Sequence, residues 1–295
     1  MRDAAVQSLA VGFFDGVHLG HQAILRGADA ALTFRNHPLT VLAPERAPRL
    51  IMTPEERVAA IKACGVGAVA VLEFTRELAE MSAEAFAREY FLAAKGRKEA
   101  QRIVCGANWS FGKGGEGNAE FLRRLGLEVE VAPYAEFKGA PISSSRIRGC
   151  LENGEIEDAN AMLGRRFQVS GFRFQGKGLG GKIGYPTINL EVFKHGFDGF
   201  NGSSRILLKR GVYEVEVGGV KGIANYGLAP TMGDKAWTSP VMEIHLLGEK
   251  REDMRRETTD GISVTLVRYI RPERKFETIE DLQRQIAADC ATITL

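Results

Sequence analysis

Cysteine is scarce in this chain, and long apolar runs are missing. The four cysteines, Cys64, Cys105, Cys150 and Cys290, lie far apart and form no Cys-x-x-Cys pair. This spacing argues against a zinc site and against a disulfide framework. No stretch reaches the roughly 18 consecutive apolar residues that a membrane helix needs, and the first residues carry no long apolar segment. We therefore expect a cytoplasmic protein with reduced thiols and no membrane partner.

An excess of one charge sign is also missing. The chain has 39 Lys and Arg against 37 Asp and Glu, which leaves a formal net charge of +2. Such a balance creates no global field that would attract nucleic acid or an anionic membrane, so we expect no nucleic-acid partner and only local anion binding. A length of 295 residues with 44% hydrophobic content exceeds one average domain and predicts two cores.

The front half predicts a mostly parallel sheet. Over residues 1 to about 160, short apolar segments alternate with segments that have helical spacing. Thr53 and Pro54 form a helix start, with threonine as the N-cap and proline at the first helical position. Strands that alternate with helices indicate a sheet covered on both faces, with ligands at the carboxyl ends of its strands.

The rear half predicts a small antiparallel barrel. From Phe167 onward the helical pattern gives way to alternation, as in Tyr213, Val215 and Val217 between acidic residues. Many short strands joined by glycine-rich turns are typical of barrels. Thr278 then starts a final amphipathic helix. The change of pattern places the domain boundary between residues 1–163 and 164–295.

Residues 11–22, VGFFDGVHLGHQ, form the most informative stretch. A buried strand breaks at a turn, and a helix begins near Gly20, with His18 and His21 on either side of it. Glycine lets the backbone approach a ligand, and imidazole and helix-start donors suit a phosphate. A structural histidine pair or a metal site is the alternative, although no Cys, Asp or Glu nearby completes a ligand set. The pattern resembles the nucleotidyltransferase superfamily, in which both histidines contact the α-phosphate of a nucleotide.

Residues 143–148, SSSRIR, place three hydroxyls at a helix start, followed by two guanidinium groups. Donors and positive charge in this order suit the outer phosphates of a nucleotide or released pyrophosphate. A serine N-cap followed by solvated arginines is the plainer interpretation. The histidine turn favours the phosphate interpretation.

Two glycine-rich runs match the dinucleotide pattern Gly-x-Gly-x-x-Gly, at residues 112–117 and 176–181. Neither has the strand, turn and helix that such a site requires, so we do not interpret them as dinucleotide sites. The second run precedes Thr187 and Asn189, and a glycine loop before these oxygen donors predicts a cover for phosphates and a magnesium site. Glu243 lies in an alternating strand, where most glutamates are simply exposed.

Together these segments resemble the bifunctional riboflavin kinase/FMN adenylyltransferase family, the prokaryotic FAD synthetases. The matches run in family order along nearly the whole chain. They are residues 14–22 (FDGVHLGHQ), 33–38 (TFRNHP), 106–112 (GANWSFG), 142–148 (ISSSRIR), 179–189 (LGGKIGYPTIN), 211–213 (GVY), 222–231 (GIANYGLAPT) and 243–247 (EIHLL). The resemblance implies an α/β Rossmann-like nucleotidyltransferase domain, followed by a small antiparallel β-barrel domain with a C-terminal helix.

For the barrel, the resemblance implies that riboflavin is phosphorylated by ATP to give FMN. Glu243 matches the family's general base, and Thr187 and Asn189 match its Mg²⁺ and nucleotide contacts. Lys182 falls in the matching stretch 179–189, and Gly178 lies in the glycine run just before it; both are expected to contact the nucleotide.

For the front domain, the resemblance implies that FMN attacks the α-phosphate of a second ATP, giving FAD and pyrophosphate. The matching residues are His18, His21, Ser144, Ser145 and Arg148, with Gly20 in the turn, and Asn108 matches a further site residue.

Three alternatives stay open at this point. The first is that the chain retains only one of the two activities. The second is that it is a nucleotidyltransferase that acts on another phosphate. A flavin- or RNA-binding module without activity is the third, and it predicts salt-sensitive binding that the near-zero net charge disfavours. The sequence leaves the oligomeric state open.

Overall fold

The computed structural model describes residues 7–92, 102–175, 179–192, 205–230, 238–248 and 261–293. The chain divides into two compact units. The first comprises the chain to Arg146 together with a short later stretch that ends at Arg205, and the second comprises Ile147–Asp198 and Ile206–Leu295. Within the described part of the chain, no helix has the length and apolar content to cross a membrane.

The first unit is built on the predicted parallel sheet. Its strands are β1 (Ser8–Val11), β2 (Ala30–Phe34), β3 (Ala68–Leu72), β4 (Arg102–Gly106) and β5 (Glu128–Ala132). They pair in the order β3-β2-β1-β4-β5, and every pair is parallel. The chain therefore winds outward from β1 in both directions, so the carboxyl ends of β1 and β4 mark the switch point where ligands bind in such sheets.

Apolar clusters cover both faces of this sheet. Along β1, Leu9 and Val11 belong to one cluster and Ala10 to the other, because successive side chains of a strand point to opposite faces. Phe86 from the helical layer packs in the first cluster, and Leu25 packs in the second. Burial on both sides thus explains the apolar runs of β1, β2 and β4, whereas the edge strands β3 and β5 are partly exposed.

The helices follow the predicted pattern, with some short additions. They are α1 (Leu19–Leu25), α2 (Leu39–Leu42), α3 (Pro54–Ala63), α4 (Arg76–Ala79), α5 (Ala83–Tyr90), α6 (Ala119–Arg124), α7 (Ser144–Asn153) and α8 (Ile156–Leu163). The predicted start of α3 is confirmed, since Thr53 and Glu56 form a reciprocal capping box. Helices α2 and α4 and the small hairpin of β6 (Glu136–Phe137) and β7 (Ala140–Pro141) are too short to show a period in sequence.

Arg205 joins the first unit through α3. Its Nη1 lies 2.6 Å from Oε2 of Glu56, and only 6% of its side chain is exposed. Arg205 also forms an isolated parallel bridge with Leu50. Glu56 at the same time accepts a hydrogen bond from the backbone of Thr53. Residues 193–204 lie outside the described part of the chain, and Arg205, the first described residue after them, contacts α3.

The second unit contains the predicted closed antiparallel barrel. Its strands are β8 (Gln168–Phe174), β9 (Ile188–Val192), β10 (Gly211–Val217), β11 (Val220–Pro230), β12 (Thr238–Leu246) and β13 (Ile262–Arg271), in the order β10-β11-β12-β9-β8-β13. The short helix α9 (Leu179–Lys182) precedes β9, and α10 (Ile279–Ala291) follows β13. Thr278 caps α10 by accepting from the backbone N–H of Asp281, as its position before an acidic turn predicted.

A buried ion pair fastens α10 to the barrel. Nε and Nη2 of Arg271 on β13 lie 3.0 and 2.7 Å from Oδ2 of Asp289 on α10, and only 4% of the Asp289 side chain is exposed. Gln285 donates a further hydrogen bond to the same carboxylate. Removing one partner of such a pair leaves the other charge buried without compensation.

We expect Asp289→Ala to lower the free energy of unfolding by about 3 kcal/mol, because it leaves the charge of Arg271 beside the helix without its partner. Urea denaturation followed by circular dichroism measures this change. Asp281→Asn, which affects an exposed pair with Arg284 on the same helix, is the matched control and should change stability little. Equal effects of the two variants would contradict the role of the buried pair.

Candidate active sites

The turn after β1 has a strained backbone. Phe14 and Val17 have φ angles of 59° and 39°, in the left-handed region, with Gly16 at 83° between them. For residues other than glycine such angles cost on the order of 1–3 kcal/mol each, and they persist where the surroundings fix them. Such angles cluster at functional sites, so the strained Val17 supports the prediction that this turn binds a ligand.

Two contacts from distant parts of the sequence fix the turn. The carboxylate of Asp15, which is 1% exposed, accepts hydrogen bonds from the backbone N–H groups of Ile51 at 3.0 Å and Met52 at 3.2 Å. The hydroxyl of Ser144 donates to the backbone carbonyl of Asp15 at 2.8 Å. Ser144, predicted from sequence as a phosphate contact, thus uses its proton to hold the histidine turn.

The structure brings His18 and His21 together as a stacked pair. Their ring centroids lie 3.6 Å apart at an interplanar angle of 18°. His18 is the N-cap of α1, and its Nδ1 accepts a hydrogen bond from the backbone N–H of His21 at 3.3 Å. Because Nδ1 accepts, the proton of the neutral His18 ring is on Nε2. The pair therefore offers a donor and not only a steric wall.

Gly20 makes room for this arrangement. A Cβ atom at residue 20 would lie 3.2 Å from Cε1 of His18, tighter than normal packing allows. The glycine that sequence reasoning assigned to ligand approach therefore also permits the close approach of the His18 ring.

His21 is a neutral ring near pH 7. Its pKa lies well below the usual value, chiefly because burial penalises the charged form, and further because a protonated His18 and Arg57 oppose a positive charge on His21. A neutral imidazole still donates one N–H hydrogen bond to a phosphate oxygen. The site thus supplies aligned donors without two adjacent imidazolium charges.

The other residues that the sequence predicts for the front domain lie on two elements. Asn108 is exposed in the turn after β4, at the carboxyl end of the strand beside β1. Ser145 is exposed in the first turn of α7, and Arg148 lies one helical turn after Ser144. The nucleotide contacts of these three residues remain predictions.

An apolar cavity of about 280 Å³ opens at the same end of the sheet. The ends of β1 and β2 contribute Val11 and Phe34, and aromatic rings come from later segments, such as Trp109 and Phe111, which stack at 4.8 Å. Sequence reasoning missed this cavity, because its lining comes from segments without a common motif. The two aromatic residues Trp109 and Phe111 after β4 are the one local signal.

The glycines of residues 112–117 serve this packing. A Cβ atom at Gly112 would lie 2.6 Å from the backbone of Ala83, and one at Gly117 would lie 2.7 Å from the ring of Phe111. Their spacing therefore reflects close contact between a loop and α5, which gives a packing reason for a run that matches the dinucleotide pattern.

The barrel carries a second cavity, of about 260 Å³, lined by Thr187 and Glu243 among others. In the strand register Glu243 on β12 lies opposite Asn189 on β9 and opposite Asn225 on β11. The three side chains form one row across neighbouring strands, with Cβ atoms of such pairs about 5 Å apart. Asn225 lies in the matching stretch 222–231 but is not among the site residues predicted from sequence.

Glu243 has an unusual electrostatic environment. Its pKa is raised, first because partial burial in the cavity penalises the carboxylate, and second because the carboxylate of Glu273 lies close by. Glu273 accepts a hydrogen bond from Nδ2 of Asn225 at 3.3 Å. Sequence reasoning missed Glu273, which follows β13 and reaches the cavity only through the closure of the barrel.

Thr187 is held in place by its neighbours. Nδ1 of His245 on β12 lies 3.1 Å from the carbonyl oxygen of Pro186, an acceptor, so the ring donates this hydrogen bond. The backbone N–H of Tyr185 donates to the carbonyl of Gly180 at 2.7 Å. Of the remaining predicted residues, Gly178 lies outside the described residues, and Lys182 ends α9 without a described side chain.

Comparison with known protein families gives two matches that together cover most of the chain. Residues 2–146 match the model of the FAD synthetase family, and residues 163–294 match the model of the riboflavin kinase family. The first contains the histidine turn, and the second contains the barrel and its cavity.

Curated relatives match along almost their entire lengths. Proteins named bifunctional riboflavin kinase/FMN adenylyltransferase are 32% identical in Listeria monocytogenes, over 95% of this chain and 89% of theirs, and 32% identical in Bacillus subtilis, over 97% and 91%. The protein of that name from Escherichia coli K12 is 30% identical over 95% and 90%. A crystal structure titled as a macrolide-efflux protein from Streptococcus pneumoniae aligns with a TM-score of 0.80 at 26% identity, covering 98% of this chain and 93% of that one.

Proposed function

The chain belongs to the bifunctional riboflavin kinase/FMN adenylyltransferase family, and we propose from its geometry how two separate sites carry out the two reactions. It phosphorylates riboflavin to FMN with ATP, and it transfers AMP from ATP to FMN, giving FAD and pyrophosphate. Both family models match, which favours two activities over a chain that retains only one.

In the first unit, a phosphate oxygen of FMN attacks the α-phosphorus of ATP, and the bond to pyrophosphate breaks. The nucleophile is already an anion, so the site needs donors for the growing charge and not a base. Nε2–H of His18 supplies such a donor, and His21 stacks beside it. The observation that carries this assignment is the stacked histidine pair on a strained turn at the carboxyl end of β1.

The apolar cavity beside this turn suits the flavin ring of FMN. A planar tricyclic ring packs well against aromatic side chains, and the stacked rings of Trp109 and Phe111 line the cavity. The cavity begins at Val11 and Gly12, immediately before the histidine turn. FMN bound there places its phosphate on the side of the imidazoles.

In the barrel, the 5′-hydroxyl of riboflavin attacks the γ-phosphorus of ATP, the bond to ADP breaks, and Glu243 accepts the hydroxyl proton. Positioning and charge neutralisation supply most of the acceleration in such transfers. A raised pKa suits a base, because it brings the acceptor closer to the working pH.

Thr187 and Asn189 fit a magnesium ion. Thr187 lines the cavity together with Glu243, and Asn189 lies opposite Glu243 in the strand register. Mg²⁺ prefers such hard oxygen donors together with the phosphates of its nucleotide. When bound, the ion neutralises charge on the ATP phosphates.

The test of the proposed function is a time course of the pure protein with riboflavin, ATP and magnesium, with the flavins separated by chromatography. FMN should appear first and FAD afterwards. FMN that never becomes FAD would refute the assignment of the first unit, and absence of FMN would refute that of the barrel.

The pH dependence of the kinase reaction tests the pairing of Glu243 with Glu273. Glu243 acts as a base only when deprotonated, so its raised pKa places the acid limb of kcat/KM at a higher pH than an ordinary glutamate would. Glu273→Gln removes the neighbouring negative charge, lowers the pKa of Glu243 and should move this limb to lower pH. Glu277→Gln, an exposed residue of the same segment, should leave it unchanged. An unmoved limb in Glu273→Gln would contradict the pairing.

We propose a functional division at residues 163 and 164, which the start of the riboflavin kinase match at residue 163 supports. The compact units divide earlier, at Arg146, and group α8 with the barrel. We propose a cytoplasmic location, because ATP and free flavins meet in that compartment. We also propose that the chain has no membrane or nucleic-acid partner.

A further inference from the structure

Arg57 on α3 is a fully buried arginine close to the histidine turn. Its side chain is 0% exposed, and its Nη2 donates to the backbone carbonyls of Phe34 and of Arg35, the latter at 3.1 Å. These carbonyls lie where β2 ends. The guanidinium carbon also lies 4.2 Å from the ring centroid of Phe13, which follows β1. Arg57 therefore joins the ends of two strands from a third element.

The hydrogen bonds of Arg57 are incomplete. Its Nε and Nη1 are buried, and neither has a hydrogen-bond partner among the described residues. Burial lowers the pKa of Arg57 to about 10, which leaves it charged near neutral pH, and the carboxylates of Asp15 and Glu55 offset part of that effect. A buried charge with unpaired donors is costly. Fixing two strand ends alone would not require this residue to be a cation.

Arg57 also acts on His21. Nδ1 of His21 is buried without a partner in the part of the chain that the structure describes. Burial is the main reason why the pKa of this ring is low, and the charge of Arg57 acts in the same direction. A guanidinium donates hydrogen bonds and accepts none. A proton on Nδ1 of His21 would have no acceptor there, whereas a proton on Nε2 leaves Nδ1 as a lone pair that positive charge stabilises.

We infer that Arg57 is a positioning residue for AMP transfer: it fixes the ends of β1 and β2 around the histidine turn, and its buried charge favours the His21 ring with the proton on Nε2 and the lone pair on Nδ1. His18 reaches the same tautomer through its hydrogen bond from the backbone of His21. Both rings then present an Nε2–H to the α-phosphate. This inference rests on the proposed function, because it assigns a task within the same site.

The charged groups around His21 and Arg57 determine whether the pKa of His21 rises or falls when Arg57 loses its charge. Burial is the main cause of the low pKa of His21, and a protonated His18 and Arg57 act in the same direction. Around Arg57, Asp15 and Glu55 favour its charge and Arg35 opposes it. Removing the charge of Arg57 therefore raises the pKa of His21, so that the ring is protonated at a higher pH than in the native protein.

The kinetic experiment compares Arg57→Gln, Arg57→Lys and the native chain in FMN adenylylation. We expect Arg57→Gln to lower kcat about 10²-fold, the scale on which a misplaced site loses activity, and to move the acid limb of the pH profile to higher pH. Arg57→Lys keeps the charge but not the planar guanidinium group with its several donors. It should therefore lower kcat without moving the acid limb. Riboflavin phosphorylation by the same chain is the internal control for folding, and Arg26→Gln, exposed at the end of α1, is the control for charge.

Nitrogen NMR of histidine-labelled native protein reads the tautomer of His21 directly, with His21→Gln to assign its signal. A proton on Nε2 supports the inference, and a proton on Nδ1 overturns it, even if Arg57→Gln proves too unstable for kinetics. An unshifted acid limb in an Arg57→Gln chain that still forms FMN also overturns it. Native protein that forms no FAD would instead refute the proposed function, so the two failures are distinct.

Discussion

Replacing His21 by alanine is expected to lower the rate of FAD formation by about 10²–10³-fold, the usual effect of removing one donor from a site of developing negative charge. FMN formation should be unchanged, because the barrel carries its own cavity and its own base. The neutral ring of His21 stacks on His18, so its loss removes a donor and also the wall that orients the His18 ring.

The measurement supplies FMN and ATP and follows FAD and pyrophosphate, with riboflavin phosphorylation recorded in parallel. His21→Gln, whose amide nitrogen lies near the position of Nε2, should recover part of the rate. Loss of both activities in His21→Ala would contradict two independent sites. An unchanged rate of FAD formation would remove the histidine pair from the reaction.

Replacing Glu243 by glutamine should lower riboflavin phosphorylation by about 10²–10⁴-fold, the range for a lost general base. Glutamine keeps the size of the side chain and its place between Asn189 and Asn225, so the change isolates proton acceptance from packing. FAD formation from supplied FMN should continue at the native rate.

Steady-state kinetics with riboflavin should show the loss in kcat, with a smaller change in KM, because the proton moves in the transition state and not on binding. Glu216→Gln is the matched control, since this glutamate lies on β10 in a surface pair with Arg166 and does not line the cavity. A Glu243→Gln chain with near-native kcat would exclude Glu243 as the base.

The elements that were predicted from sequence are those with local causes. Parallel strands buried on both faces give apolar runs, and barrel strands give alternation, so the amino-acid sequence alone distinguishes the two fold classes. The start of α3 follows from side chains within one turn of Thr53. The histidine turn was visible because a strand, a turn and two imidazoles fall within residues 11–22.

The rest depends on contacts between distant residues. Ser144 and Asp15 are 129 positions apart, so no motif could show that this serine holds the turn. Arg57 reads in sequence as an ordinary charged residue of an exposed helix, and only the packing of α3 buries it. Glu273 comes near Glu243 through barrel closure, which local patterns do not specify.

The pairing of Arg205 with Glu56 restricts how the chain can be divided into two fragments. Because the first unit takes in a stretch from far along the polypeptide, a single cut cannot release both units whole. A fragment of residues 1–163 lacks the arginine that Glu56 binds, and the complementary fragment carries that arginine without its acceptor. Separately expressed halves therefore represent the intact enzyme poorly. Point substitutions in the full-length chain are the better way to remove one of the two activities.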